Sequence, residues 1–207
     1  LLWIGATGGK LYSDNMGGFS IVEYATPECG TIEGVVRADR GGDLMLSSLA
    51  DMLAEEYFSS AYVRSGDEMF RRLLIFKTNS SAIHGDPLSP EQFRGSHENY
   101  QTEARFFLNA SPKKDPFILS LAWLLALRQI FSGGGGLIYT KADGWRYVLS
   151  PRACGTNIIY GNTLAGTQKP IISVKGFDSS FDKHHCGEGR ARLHIPVGDS
   201  TLMPSTI

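Results

Sequence analysis

The stretch from Gly9 to Cys29 constrains the fold more than any other, because polar and apolar residues alternate on both sides of a glycine-containing turn. Tyr12 and Asp14 alternate with Leu11 and Ser13, so a strand over Lys10 to Asp14 places the phenol and the carboxylate on one face by its period of two. A loop around Gly17 and Gly18 returns the chain into a second strand, Ile21 to Ala25. There Glu23 shares a face with Ile21 and Ala25, while Tyr24 points to the other side. A carboxylate on an otherwise apolar sheet face is costly to bury unless it has a partner such as a metal ion. Taken alone, these residues are also accounted for, and more simply, by an ordinary hairpin with a solvated acidic face.

Beyond the hairpin, Thr31 is placed to cap a short helix reaching about Arg40, with Gly41 and Gly42 breaking it. Asp43 then caps a second helix, whose Leu46, Leu49, Leu53 and Tyr57 recur at helical spacing as a buried stripe. Arg72 to Lys77 reads as a strand, and Ile83 to Arg94, with two prolines, as a loop that carries His84. Gly95 to Tyr100 re-enters a strand running toward Phe106 to Leu108. Its adjacent His97 and Glu98 must face opposite sides. On the residues alone, His97 is better explained as a hydrogen-bonded structural histidine than as a ligand.

Pro116 opens a helix to Phe131, since proline loses nothing at a first turn, and four glycines from Gly133 stop it. That run lacks the Lys-Ser or Lys-Thr ending of a phosphate loop and opens no helix. Leu137 to Thr140 and Trp145 to Leu149 form a second hairpin about Ala142-Asp143-Gly144. Pro170 to Lys175 and Arg190 to Val197 are the last strands, and on the latter Arg190, Arg192 and His194 share one face, suited to phosphate oxygens. Adjacent His184, His185 and Cys186 lack a second ligand pair at zinc spacing.

With 207 residues, 42% hydrophobic content and a net charge of -1, the chain can bury a core and has no electrostatic attraction to nucleic acid or anionic membrane. The longest apolar run, Phe117 to Leu127, is too short to span a bilayer. Three scattered cysteines, Cys29, Cys154 and Cys186, make no disulfide framework and fit a reducing cytoplasm.

Four blocks, in order, carry a resemblance. They are Leu11-Tyr12-Ser13-Asp14 with Glu23-Tyr24-Ala25-Thr26-Pro27-Glu28-Cys29, then Phe76-Lys77-Thr78-Asn79, then Gly95-Ser96-His97-Glu98-Asn99-Tyr100, and last Arg192-Leu193-His194-Ile195 running into Val197-Gly198-Asp199-Ser200. Together they resemble the Pup ligase and Pup deamidase family, also called proteasome accessory factor A, over nearly the whole chain. The resemblance is weakest between Ser132 and Gly189, where Val174, Lys175 and Gly176 replace much of an Asn-Thr-Arg-Asp-Glu-Pro-His signature.

The resemblance implies an α+β fold, a glutamine-synthetase-like cradle of mainly antiparallel sheet packed by helices. It treats residues 1–207 as a single, partial catalytic domain lacking the family's first strand and carboxy-terminal domain. It implies an ATP- and magnesium-dependent ligase that joins the C-terminal glutamate of a prokaryotic ubiquitin-like protein to lysines of target proteins, or the related deamidase, acting in the cytoplasm and feeding the proteasome pathway. No nucleic acid or membrane partner is implied.

By the same resemblance, Tyr12, Glu23, His97 and His194 match metal-binding positions. Thr26 and Arg192 match nucleotide contacts, and Lys10 stands where the family uses arginine, keeping the charge without the planar fork. Asp14 is the catalytic carboxylate, a base toward lysine in a ligase or the nucleophile in a deamidase. Arg152, in Leu149-Ser150-Pro151-Arg152, is either near the nucleotide or modifier or a plain surface arginine. Two alternatives remain: a non-catalytic member that binds the modifier or a partner, and a small-molecule carboxylate-amine ligase. If the polar residues converge on one site, the strands at Lys10, Ile21, Ser96 and Arg190 belong to one sheet.

Overall fold

The computed structural model describes residues 2–4, 8–16, 19–59, 93–103, 116–161, 169–173 and 189–199, without the side chains of 2–4, 14–16, 19, 20 and 57–59. The sequence readings at Arg72 to Lys77, His84, Phe106 to Leu108 and Val174 to Glu188, including Lys175, His184, His185 and Cys186, lie outside the described residues. So does the side chain of Asp14. The described residues fall into two compact units, the first within Leu1–Phe76 and the second within Lys77–Leu202.

The first unit is a three-stranded antiparallel sheet, β1 (Leu2–Ile4), β2 (Gly9–Met16) and β3 (Phe19–Ala25), followed by helix α1 (Ile32–Ser59). In the β2–β3 hairpin, Leu11 pairs with Tyr24, Tyr12 with Glu23 and Asp14 with Ile21, the alternation expected of this sequence. Thr31 caps α1 as expected, its Oγ1 accepting from the Gly34 N–H at 3.0 Å. Gly41 and Gly42 do not break the helix, and Asp43 does not open a second one. Asp43 instead lies within α1, with a carboxylate oxygen 3.5 Å from Arg40.

The reason is packing. The Tyr24 ring lies against the helix so closely at Gly42 that a Cβ there would overlap it, and the Tyr24 hydroxyl donates to the Ala38 carbonyl at 3.1 Å. A glycine that costs roughly 1 kcal/mol of helix propensity is kept where a strand's aromatic ring needs the space. The apolar stripe is also less buried than its spacing predicts. Leu46 and Leu49 are half-buried and Leu53 is exposed, whereas Ala50 is fully covered.

The second unit is built on a four-stranded sheet of order β4-β9-β8-β7, from β4 (Ser96–Glu103), β7 (Ile158–Gly161), β8 (Pro170–Ser173) and β9 (Arg190–Gly198). β9 runs antiparallel to both β4 and β8, while β7 and β8 are parallel. The apolar residues of β9 face one way: Ala191, Ile195 and Val197 form the core with Ile172 and with Ile118, Ala122 and Leu125 of helix α2 (Pro116–Ser132). Ile118 and Ile172 are completely buried, and each such side chain contributes about 1.5–3 kcal/mol by leaving water.

The second hairpin, β5 (Gly136–Thr140) and β6 (Gly144–Val148), forms as expected about Gly144, and a short helix α3 (Pro151–Cys154) follows. The architecture is α+β with mostly antiparallel pairing. The expectation of one sheet is not met among the described strands: β2 and β3 pair with β1, whereas β9 has both edges taken by β4 and β8. Among the described residues, no helix is long and apolar enough to cross a membrane.

Candidate functional site

The two faces of the β2–β3 hairpin do different things. Leu11 is buried and Tyr24 is anchored on α1, so this pair forms the packed side. Burial raises the Tyr24 phenol above its usual range, with Asp39 and then Cys29 adding to the effect. On the opposite side Tyr12 and Glu23 stand directly across the ladder, and the Tyr12 hydroxyl donates to the Glu23 carboxylate. Both are half-buried, and exposed Lys10 pairs with Ala25 on the same register. Thr26 is exposed just past the end of β3, and Asp14 is two residues beyond Tyr12 on β2. A phenol and a carboxylate brought together in this way are hard oxygen donors suited to magnesium.

In the second unit, the face of β9 turned away from α2 carries Arg190, Arg192 and His194, the row expected from the period of two. Arg190 donates to Gln101 of β4 at 2.9 Å. Arg192 is half-buried, and His194 is buried opposite Asn99 on one side and Ser173 on the other. His97 meets His194 edge to face, with ring centroids 5.0 Å apart. Glu98 faces the other way, as adjacent strand residues must. It takes a two-pronged ion pair from Arg128 of α2 at 2.5 and 2.9 Å and a hydrogen bond from Tyr100 at 2.7 Å. Burial and the Glu98 bond push the Tyr100 phenol up to about 12, and the same carboxylate raises Arg128. Glu98 is thus a brace between sheet and helix.

Arg152 is not a plain surface arginine. It is buried in α3, donating from Nε to the Pro196 carbonyl at 2.7 Å and from one terminal nitrogen to the Phe93 carbonyl at 2.8 Å. Its other terminal nitrogen lies 3.3 Å from His97 Nε2. The backbone N–H of Arg152 and that of Gly134 donate to the two carboxylate oxygens of buried Asp199, at 2.9 and 3.0 Å. Burial lowers the Arg152 guanidinium to about 10, with Asp199 opposing that fall and Arg94 adding to it.

The glycine run therefore has a structural use. At Gly133 the backbone passes against the Leu149 carbonyl with no room for a Cβ, and Gly135 takes a positive φ of 66°. Among the described residues, no three His, Cys, Asp or Glu side chains gather as a self-contained metal cluster. The structure brings together Tyr12 with Glu23, and His97 with His194.

Comparison with known proteins decides the family. The family described as Pup-ligase protein matches residues 3–207. The chain belongs to the Pup-ligase family. It is 32% identical over 202 residues to the Pup–protein ligase of Pseudarthrobacter chlorophenolicus, covering 96% of this chain and 37% of that protein. To the Pup–protein ligase of Acidimicrobium ferrooxidans it is 32% identical over 197 residues, covering 94% of this chain and 36% of that protein.

Among solved structures, the Pup ligase PafA of the prokaryotic ubiquitin-like modification pathway, in complex with ADP, matches with a TM-score of 0.64 and 22% identity over 97% of this chain and 38% of that one. That likeness shows the fold. The chain thus spans little more than a third of the length of its Pup-ligase relatives. Sequence reasoning missed Asp199, and of its two readings of Arg152 the plain surface arginine fails. The Val197-Gly198-Asp199-Ser200 block was a family match that gave Asp199 no role, and nothing local in the sequence pairs it with residues 47 and 65 positions away.

Proposed function

We propose that this chain forms the nucleotide-binding and catalytic part of an ATP-dependent Pup ligase of the cytoplasm. Its substrates would be a prokaryotic ubiquitin-like modifier ending in glutamate and lysine-bearing target proteins, whose modification leads to the proteasome. The observation that carries this reading is the Tyr12–Glu23 pair across β2 and β3, two residues from Asp14, in a chain of this family.

Tyr12, Glu23, His97 and His194 are the residues proposed to face the metal and nucleotide, with Thr26, Lys10 and Arg192 as nucleotide contacts. When bound, magnesium would offset the charge of the triphosphate and of the carboxylate that attacks it. The modifier's γ-carboxylate displaces ADP from ATP and becomes a glutamyl phosphate. Asp14 takes a proton from the lysine ammonium, and the freed amine attacks the acyl carbon. Phosphate leaves as the isopeptide bond forms. In the reverse, deamidase-type chemistry, Asp14 would be the nucleophile on the amide carbonyl.

Intact-mass analysis tests the reading. The full-length protein is incubated with ATP, magnesium, a glutamate-ended modifier and a lysine-bearing target. The expected product is modifier joined to target with ATP consumed, and Asp14→Asn should lose it by about a thousandfold or more while still binding ATP. Release of modifier from a conjugate would instead assign the deamidase direction. Inactivity in both assays would favour a non-catalytic binding role, and full activity of Asp14→Asn would remove Asp14 from the chemistry.

A further inference from the structure

His97 sits where the β4–β9 ladder is irregular. Ser96 pairs with Gly198 and Glu98 with Ile195, so one residue of β4 stands opposite two of β9, Pro196 and Val197. Proline has no N–H for the ladder, and the bulge turns its carbonyl toward Arg152 Nε. A second bond to the Phe93 carbonyl, just before β4, locks the guanidinium between the two strands. Its remaining terminal nitrogen meets His97 Nε2 at 3.3 Å. Arginine has five donors and no acceptor, and stays protonated in proteins, so this contact has one polarity: Arg152 donates and His97 Nε2 accepts. A neutral imidazole whose Nε2 accepts carries its proton on Nδ1.

The consequence bears on the metal set. Metal ligation needs a ring nitrogen with a free lone pair. In His97 that nitrogen is held by a guanidinium, whose charge also repels a cation. The face that His97 shares with Arg190, Arg192 and His194 is one for anionic oxygens. We propose that Arg152 is a positioning residue that holds His97 as the Nδ1–H tautomer, so that His97 meets a nucleotide phosphate oxygen as a donor and leaves metal ligation in this pair to His194. The tautomer follows from the geometry alone, whereas its use in binding nucleotide rests on the function proposed above.

Long-range proton–nitrogen NMR of the histidine-labelled protein decides the first part, with the His97 signal identified by its loss in His97→Asn. The expected spectrum of the unmutated protein shows His97 protonated at Nδ1 and not at Nε2. A His97 protonated at Nε2, or at both nitrogens, overturns the proposal, and this spectrum decides whether or not any Arg152 variant folds. Arg152→Lys and Arg152→Met should both release His97 toward the Nε2–H tautomer that free histidine favours.

Calorimetry with magnesium-ATP decides the second part. His97→Ala should weaken binding by about tenfold, the scale of a hydrogen bond to a charged group. His97→Asn, which keeps an N–H donor in the place of Nδ1, should restore it to within about threefold. Equal losses in the two variants would make His97 a ligand and overturn the donor role. Absence of magnesium-ATP binding in the unmutated protein would sink the proposed function while leaving the spectrum to judge the role of Arg152.

Discussion

The hairpin unit and the β4–β9 unit hold their polar residues in opposite ways. In the hairpin, Tyr12 and Glu23 are half-buried, bonded to each other, and set on the side away from the packed Leu11 and Tyr24. In the β4–β9 unit, Arg152, Asp199, His194 and Ser173 are all buried, and Arg152 and Asp199 tie α3 to the glycine run, the start of β4 and the end of β9. A half-buried polar pair can be given up to a ligand at little cost to the fold. A buried network cannot, because each group left unpaired keeps its desolvation penalty. The polar pair of the first unit can therefore change partners cheaply, whereas the second unit holds a frame in which a few polar groups are fixed.

The largest stability effect should come from the frame. Arg152→Met leaves the Pro196 and Phe93 carbonyls without their donor and removes the positive charge beside Asp199, and should cost about 3 kcal/mol or more in urea unfolding. Tyr12→Phe, which removes only the half-buried hydroxyl, should cost under about 1 kcal/mol. Equal costs for the two would break the contrast.

A smaller effect tests the packed side of the hairpin unit. Gly42→Ala gains helix propensity but drives a methyl group into the Tyr24 ring, for a net loss of about 1–2 kcal/mol. Gly41→Ala, where a Cβ meets nothing within 4 Å, should gain up to about 1 kcal/mol. If Gly42→Ala were as stabilising as Gly41→Ala, the Tyr24 packing would not explain why α1 runs through both glycines.

What was legible in the sequence follows the same division. The alternation within β2 and within β3, the second hairpin and the row Arg190, Arg192, His194 all come from a period of two acting over a few residues. The opposite facing of His97 and Glu98 does too. The placing of Tyr12 directly across from Glu23 does not, because alternation within a strand leaves its register against the next one open. The break expected at Gly41 and Gly42 failed because propensity is a weak prior, and a strand's Tyr24, distant in sequence, sets the need for glycine there. Of the two readings of Arg152, the plain surface arginine fails, although arginine is seldom buried, because backbone carbonyls take up its guanidinium. Its partners come from two distant parts of the chain, around Phe93 and from Pro196 to Asp199, which no local pattern joins.

The smallest effect concerns the brace at Glu98. Tyr100 has its phenol raised to about 12 in the fold, against an ordinary value near 10. Its neutral form is thus favoured when folded, so its stabilisation is complete below about pH 10 and is lost as pH rises toward 12. Tyr100→Phe should flatten the fall of stability over that interval, measured as unfolding midpoint against pH. An unchanged slope would mean that the Glu98–Arg128 pair carries the brace without Tyr100.

The central claim is that the Tyr12–Glu23 side of the hairpin holds the metal that accompanies the nucleotide, and calorimetry of magnesium-dependent ATP binding by the full-length protein tests it most directly. Glu23→Ala should weaken that binding by about tenfold or more, since a charged oxygen ligand is lost, while the unfolding midpoint stays nearly unchanged. Magnesium-dependent ATP affinity equal to that of the unmutated protein would contradict the claim and return the hairpin to a solvated acidic face.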